Sequence, residues 1–238
     1  MTSRDVRPTF VVLPGTASDE VFVRSAFAGP LAASGFELVA PRSRSVAAHF
    51  AALDALWAGK PLVVGGVSLG AHVAARWAVR YPERCAGVVV ALPAWVGPAG
   101  DAPAALAARA SAAAVDGQGL VAALAGVDGW VGAELRRAWP RYGDRLADVL
   151  REAAGSVAPA LDDLRGLDVP VGVAGCADDP VHPLAVAETW LAALPRAAMR
   201  TTTLDALGAD RSALGRAALD AYLAAAGAAT QSKEHTIV

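Results

Sequence analysis

The sequence predicts an α/β fold: a three-layer sandwich around a mostly parallel sheet of about six strands, interrupted by a helical cap insertion. Three observations predict it. Short apolar, β-branched runs alternate with helical stretches of about 10–15 residues, the rhythm of βαβ units. Those runs are continuous rather than alternating, as expected of strands covered by helices on both faces. Between Trp95 and Asp168 the rhythm stops, and only alanine-rich helical segments remain.

Each element follows from local chemistry. Thr9–Leu13 is a buried strand closed by the turn Pro14-Gly15, and a helix spans about Glu20 to Ala33, ended by Ser34-Gly35. Glu37–Ala40 is a second strand stopped by Pro41, and Val46–Trp57 a helix ending near Gly59. Leu62–Val67 is the third strand, Leu69–Arg80 a helix stopped by Tyr81-Pro82, and Ala86–Leu92 the fourth strand. Val169–Ala174 and Met199–Leu204 are the fifth and sixth, followed by helices over Leu184–Leu194 and Asp210–Ala226. Residues 1–95 and 169–229 then form the core, 96–168 a cap or lid, and 230–238 a flexible, polar tail. The insertion is punctuated by Gly97-Pro98, Asp116-Gly117, Pro140 and Pro159. Insertions of this length on a compact sheet usually cover a site. Trp95, Trp130 and Trp139 are expected either to pack the cap or to line a substrate pocket beneath it.

Composition bounds the function. The 238 residues carry a formal charge of -2, with 55% hydrophobic and 18% charged residues, too apolar for a disordered chain. Without a basic excess, nucleic acid is not an expected partner. No apolar run reaches the roughly 18 residues of a membrane span, and Met1–Arg7 lacks a signal-peptide pattern, so a cytoplasmic location is expected. Two cysteines, Cys85 and Cys176, make no disulfide framework. No metal-ligand spacing or phosphate-binding glycine motif appears, so no metal and no cofactor is predicted. The abundant alanine, and arginine in place of all but Lys60 and Lys233, reflect a GC-rich coding bias rather than function.

Gly66-Val67-Ser68-Leu69-Gly70 carries the chemistry. It falls between a strand and a helix, the context in which G-x-S-x-G lifts a serine above the sheet edge. The Leu69 amide, at the start of that helix, and an amide of the loop Pro14-Gly15-Thr16-Ala17 are candidate oxyanion donors, Thr16 ahead of Ala17.

With these residues the chain resembles the α/β-hydrolase family. The resemblance rests on the Pro14-Gly15 turn, the elbow around Ser68, the helical insertion after the fourth strand, and Gly175-Cys176-Ala177-Asp178-Asp179-Pro180-Val181 after the fifth. It covers about Thr9 to Ala226 without the family's usual N-terminal hairpin. The resemblance implies Ser68 as nucleophile and Asp178 as the acid of a triad, with Asp179 helping to form the turn. Family members carry the third residue as a Gly-His pair after the last strand; here Gly208-Ala209 stands there, and the histidine is missing. A serine without a base is a poor nucleophile. Among the four histidines, His182 on the acid loop is the first candidate for a relocated base. His72 is expected to pack between helix and sheet, while His49 and His235 lie away from the site. Asp210, beside the vacated position, is a possible substitute acid or base, or simply a helix cap or partner of Arg211.

Three functions remain open. One is a serine hydrolase acting on an ester or thioester of a small apolar substrate, through Ser68, His182 and Asp178. A second is a non-hydrolytic cyclase or isomerase in which Ser68 only polarises a carbonyl. The third is an inactive homologue that binds a small-molecule ligand.

Overall fold

The computed structural model describes residues 8–234, with side chains described to residue 228. The chain runs β1 (Phe10–Leu13), α1 (Glu20–Ala33), β2 (Leu38–Val39), α2 (Val46–Leu56), β3 (Leu62–Val67), α3 (Leu69–Arg80) and β4 (Cys85–Ala91). The insertion then contributes α4 (Pro103–Ala123), α5 (Gly129–Ala138), a 3₁₀ segment at Trp139–Arg145, and α6 (Leu146–Ala154). The chain returns through α7 (Leu161–Arg165) to β5 (Val171–Cys176), α8 (Leu184–Ala193), β6 (Ala197–Thr202), α9 (Leu204–Ala209) and α10 (Ser212–Glu234).

All six strands are parallel, in the order β2-β1-β3-β4-β5-β6. Alternate residues of each strand enter different apolar layers. Val11 and Leu13 join the cluster under α2, α3 and α8, whereas Phe10 and Val12 join the one under α1 and α10. This is the three-layer sandwich the sequence predicts. Chain order reverses between β1 and β3, so their carboxyl ends open a crevice at the switch point, the usual ligand position in such sheets.

Several boundaries differ from the sequence reading for local reasons. The second strand shortens to Leu38–Val39, a half-buried edge strand with two ladder pairs. The sixth begins earlier, at Ala197, and stops at Thr202 because Thr203 caps a helix, its hydroxyl accepting from the Ala206 amide. The final helix extends to Glu234, past Thr230 where a flexible tail is expected; 235–238, with His235, lie outside the described residues, as does Met1–Arg7. Among the described residues, no helix is long and apolar enough to cross a membrane.

The insertion leaves the core through a narrow neck. Pro98 bridges Val157, Gly97 donates its amide to Pro159, and Ala158 donates to Gly97. Beyond the neck, α4 and α6 pack together over a separate apolar cluster that includes Trp139, Tyr142, Leu146 and Leu150. One residue of the core, Ala17, is buried in that cluster as well.

Charge completes the docking. Asp19, 1% exposed, caps α1 by accepting from the Val21 and Phe22 amides. The same carboxylate takes a forked pair from Arg137 at 2.9 and 2.6 Å and a third bond from Arg141 at 2.6 Å, both arginines belonging to the cap. Burial alone would raise the pKa of Asp19, but the two guanidiniums and the Phe22 amide outweigh it and hold the group at about 2 rather than 3.8. A lowered carboxylate pKa stabilises the fold above the unfolded-state value, and that contribution is lost as pH falls through the folded one. Acid unfolding should therefore draw on Asp19 between about pH 4 and pH 2. In Asp19→Asn, the decline of melting temperature across that window should be shallower than in the parent; an identical slope would remove Asp19 from the account.

Candidate active site

Ser68 stands between β3 and α3 with φ 51° and ψ −114°, a conformation that costs an L-residue energy and persists only where the surroundings enforce it. Its neighbours enforce it. The Ser68 amide donates to Ala91 on β4 at 2.8 Å, and its carbonyl accepts from His72 one turn into α3. Gly66 and Gly70 are required by contact rather than by flexibility. A Cβ on Gly66 would lie 2.3 Å from the Gly70 carbonyl carbon, and one on Gly70 would lie 2.5 Å from the carbonyl oxygens of Leu13 and Pro14. The G-x-S-x-G spacing thus lets strand, turn and helix occupy one another's side-chain space.

His182 meets the serine. Its Nε2 lies 3.0 Å from Ser68 Oγ, and its Nδ1 lies 2.9 Å from a carboxylate oxygen of Asp179. With the proton on Nδ1 donated to Asp179, Nε2 is left to accept the serine hydroxyl. The acid loop is a compact turn: the other Asp179 oxygen accepts from the Val181 amide at 2.8 Å and the His182 amide at 3.2 Å. Burial pushes the Asp179 pKa up, but the bond and charge of His182 and those two amides bring it below the ordinary value, so the carboxylate stays ionised.

The geometry sets Asp179 rather than Asp178 against His182. Asp178 faces away from His182 and is exposed; one of its oxygens accepts from the Leu204 amide at 2.7 Å and from the Cys176 thiol at 3.2 Å. It fastens the acid loop to the start of α9. The two carboxylates sit in the turn after β5, which carries Asp178 toward the β6 end and Asp179 toward the serine. Asp210 is also elsewhere. It is exposed, bonded to Ser212 and Arg216, and held at about 2 by the Ser212 hydroxyl and amide and by Arg216, a poor state for a base.

The position where the family places its histidine is occupied by packing. Trp130 of α5 donates its indole N–H to the Leu204 carbonyl at 3.0 Å, and a Cβ on Gly208 would lie 2.8 Å from its ring. The Arg211 guanidinium lies over the same indole, 4.3 Å from the ring centroid. His72, as expected, is a packing residue: fully buried, its Nε2 accepts from the Ala94 amide, its ring lies against Trp95 and Trp190, and burial lowers its pKa to about 3. His49 is buried against Ser43, with its pKa lowered by burial to about 4.

Above Ser68 and His182 lies a cavity of about 430 Å³ between core and cap, within the range of small-molecule sites. Trp95, Trp130 and Trp139 all line it, together with Phe22, Leu92 and Leu135. Its charged lining is acidic only. Asp179 is paired with His182, and Glu134 is bonded to Arg137. Thr16, Ala17 and Ser18 line it from the other side, on a turn closed by the Ser18 amide donating to Gly15 at 3.1 Å. Among the described residues, three non-glycine residues have φ near +50°: Ala17, Ser68 and Leu92, and all three line this cavity. Cys85 and Cys176 are buried free thiols, and no group of three metal-ligating side chains is found among the described residues.

The parallel sheet, the strained serine turn at its switch point and the helical cap after β4 define an α/β-hydrolase fold. Solved structures of that fold resemble this one over most of its length. They include a candidate non-heme bromoperoxidase, BpoC, from Mycobacterium tuberculosis H37Rv, 18% identical over 92% of this chain and 93% of that one, TM-score 0.67. Others are a thermophilic esterase from Thermogutta terrifontis (17% identical, 83% and 80% covered, TM-score 0.59) and the enol-lactonase from Burkholderia xenovorans LB400 (20% identical, 86% and 85% covered, TM-score 0.57). At these identities the likeness shows the fold alone. No protein-family model and no curated protein matches the sequence.

Proposed function

We propose that the protein is a serine hydrolase for uncharged esters or thioesters with a small apolar acyl group. One observation carries the reading: the Ser68–His182–Asp179 chain of contacts, at 3.0 and 2.9 Å, opening on the cavity. Ser68 Oγ attacks the carbonyl carbon while His182 Nε2 takes its proton. The amides of Thr16 and Leu69 receive the oxyanion. As the carbonyl re-forms, the bond to the leaving oxygen or sulfur breaks and that atom takes the proton from Nε2, leaving acyl-Ser68. Water, deprotonated by the same nitrogen, attacks the acyl carbon and releases the acid and the free serine. A base in contact with the serine favours this reading over a site that only polarises a carbonyl. No cofactor is needed for these steps.

Substrate charge follows from the lining. A carboxylate brought among the tryptophans would find carboxylates and no lining cation. The test joins a label to a matched pair of substrates. A fluorophosphonate should add once to the parent protein and not to Ser68→Ala. The value of kcat/KM for 4-nitrophenyl hexanoate should exceed that for the anionic mono-4-nitrophenyl adipate by about 100-fold or more. No adduct and no turnover would overturn the hydrolase; equal rates would overturn the neutral-substrate claim.

A further inference from the structure

We infer that the cap sets the oxyanion turn: Tyr142, together with the Asp19–Arg137–Arg141 seam, positions residues Gly15–Ser18 for catalysis. The inference rests on the hydrolase reading for its catalytic consequence, though not for its structural one. The turn is held by the cap through three kinds of contact on three successive residues. Ala17, at φ 51°, is buried among cap residues Trp139, Tyr142 and Leu146 rather than in either core cluster. Tyr142 donates its hydroxyl to the Ser18 carbonyl. Asp19 binds Arg137 and Arg141. A left-handed alanine survives only where its surroundings over-determine it, and here the surroundings belong to the insertion. The amides of Thr16 and Ala17 therefore acquire their direction only when the cap is seated.

The seam also reaches the cavity wall. Arg137 links Asp19 to Glu134, which lines the cavity on α5, and Glu20 extends the chain of charge from Arg141 to Arg42. Burial raises the Tyr142 pKa to about 12, so its hydroxyl remains a donor across the working range. Substrate contacts on the cap and oxyanion contacts on the turn are joined through one buried carboxylate.

The test separates transition-state from ground-state binding in Tyr142→Phe and in Arg141→Gln, the second removing a half-exposed arm of the seam at little risk to folding. In Tyr142→Phe, kcat for 4-nitrophenyl hexanoate should fall about tenfold or more with KM within about threefold. The inhibition constant of pentaneboronic acid, which forms a tetrahedral adduct with the serine, should rise by the same factor, while that of hexanamide stays put. Arg141→Gln should shift the same quantities in the same direction by about threefold. Independently of activity, NMR hydrogen exchange of the Thr16 and Ala17 amides should quicken in both variants, with β3 unaffected. Unchanged exchange and unchanged boronate binding would overturn the inference; so would equal weakening of boronate and hexanamide, the mark of a damaged cavity. If the parent neither hydrolyses the ester nor binds the boronate, the hydrolase reading falls, and the exchange comparison still decides whether the cap holds the turn.

Discussion

Replacing His182 by alanine is expected to cut ester turnover by about 10³–10⁴-fold, and Asp179→Asn should cost nearly as much. The reason is geometric. In the proposed mechanism Asp179, 2.9 Å from Nδ1, holds the imidazole with its proton there, so that Nε2 can take the proton of Ser68. An amide in place of the carboxylate can present a donor to that nitrogen and favour the wrong tautomer. Asp178→Asn is the informative control, because this neighbour bonds to the Leu204 amide and the Cys176 thiol instead. Its kcat should stay within about threefold of the parent. Steady-state kinetics on 4-nitrophenyl hexanoate decide the matter, and a larger loss at Asp178 than at Asp179 would sink the assignment.

The second large effect is on stability. Gly70→Ala puts a methyl group 2.5 Å from two backbone oxygens at the end of β1, neither of which is a flexible side-chain end that can swing aside. Either α3 lifts from the sheet or the Leu13–Pro14 segment shifts. Overpacking against backbone should cost at least about 3 kcal/mol, a fall in melting temperature of roughly 6–12 °C for a chain of this size. Gly29→Ala provides the contrast. That glycine lies inside α1 with nothing within 4 Å of a new Cβ, so alanine should stabilise by roughly 0.5–1 kcal/mol through helix propensity. Thermal unfolding of the pair measures both, and a Gly70→Ala protein as stable as its parent would refute the interlocked elbow.

Much of this was legible in the sequence because strong local signals agree with the global arrangement. Val- and Leu-rich runs at 10–13, 62–67 and 85–91 belong to strands buried on both faces, and the elbow glycines sit where close approach demands them. Leu69–Arg80 begins at the serine turn and ends before Pro82, as its sequence requires. The sixth strand was readable from Met199 onward, but Ala197-Ala198 carry no β-branched signal, so its first two residues are recognisable only from the ladder with β5. In the site, Ser68, His182 and the three cavity tryptophans were readable from motif, loop position and aromatic content. The choice between Asp178 and Asp179 was not, because it depends on which way two adjacent carboxylates face around one turn. An Asp three residues ahead of His182, able to accept two amides and the ring nitrogen, was the signal present. The Asp19 seam left no pattern: its partners lie 118 and 122 residues away, brought near only by the docking of the cap.

The tight turn from Asp179 to His182 changes what the fold has to guarantee. When nucleophile, base and acid come from three separate loops, two long-range distances must be kept at once. In the proposed triad the acid–base distance is enforced within four consecutive residues, and one tertiary separation, Ser68 to His182 across 114 residues, remains to be maintained. The reaction centre has in effect one adjustable coordinate. On that reading the chain downstream of His182 serves as a wall and a support: Leu204 and Leu207 face the cavity, and α10 covers the sheet. Sequence drift or insertion near Ala209–Arg211 would then act through the cavity wall, by way of Leu207 and the Trp130 that Arg211 packs against, rather than by displacing a reacting group.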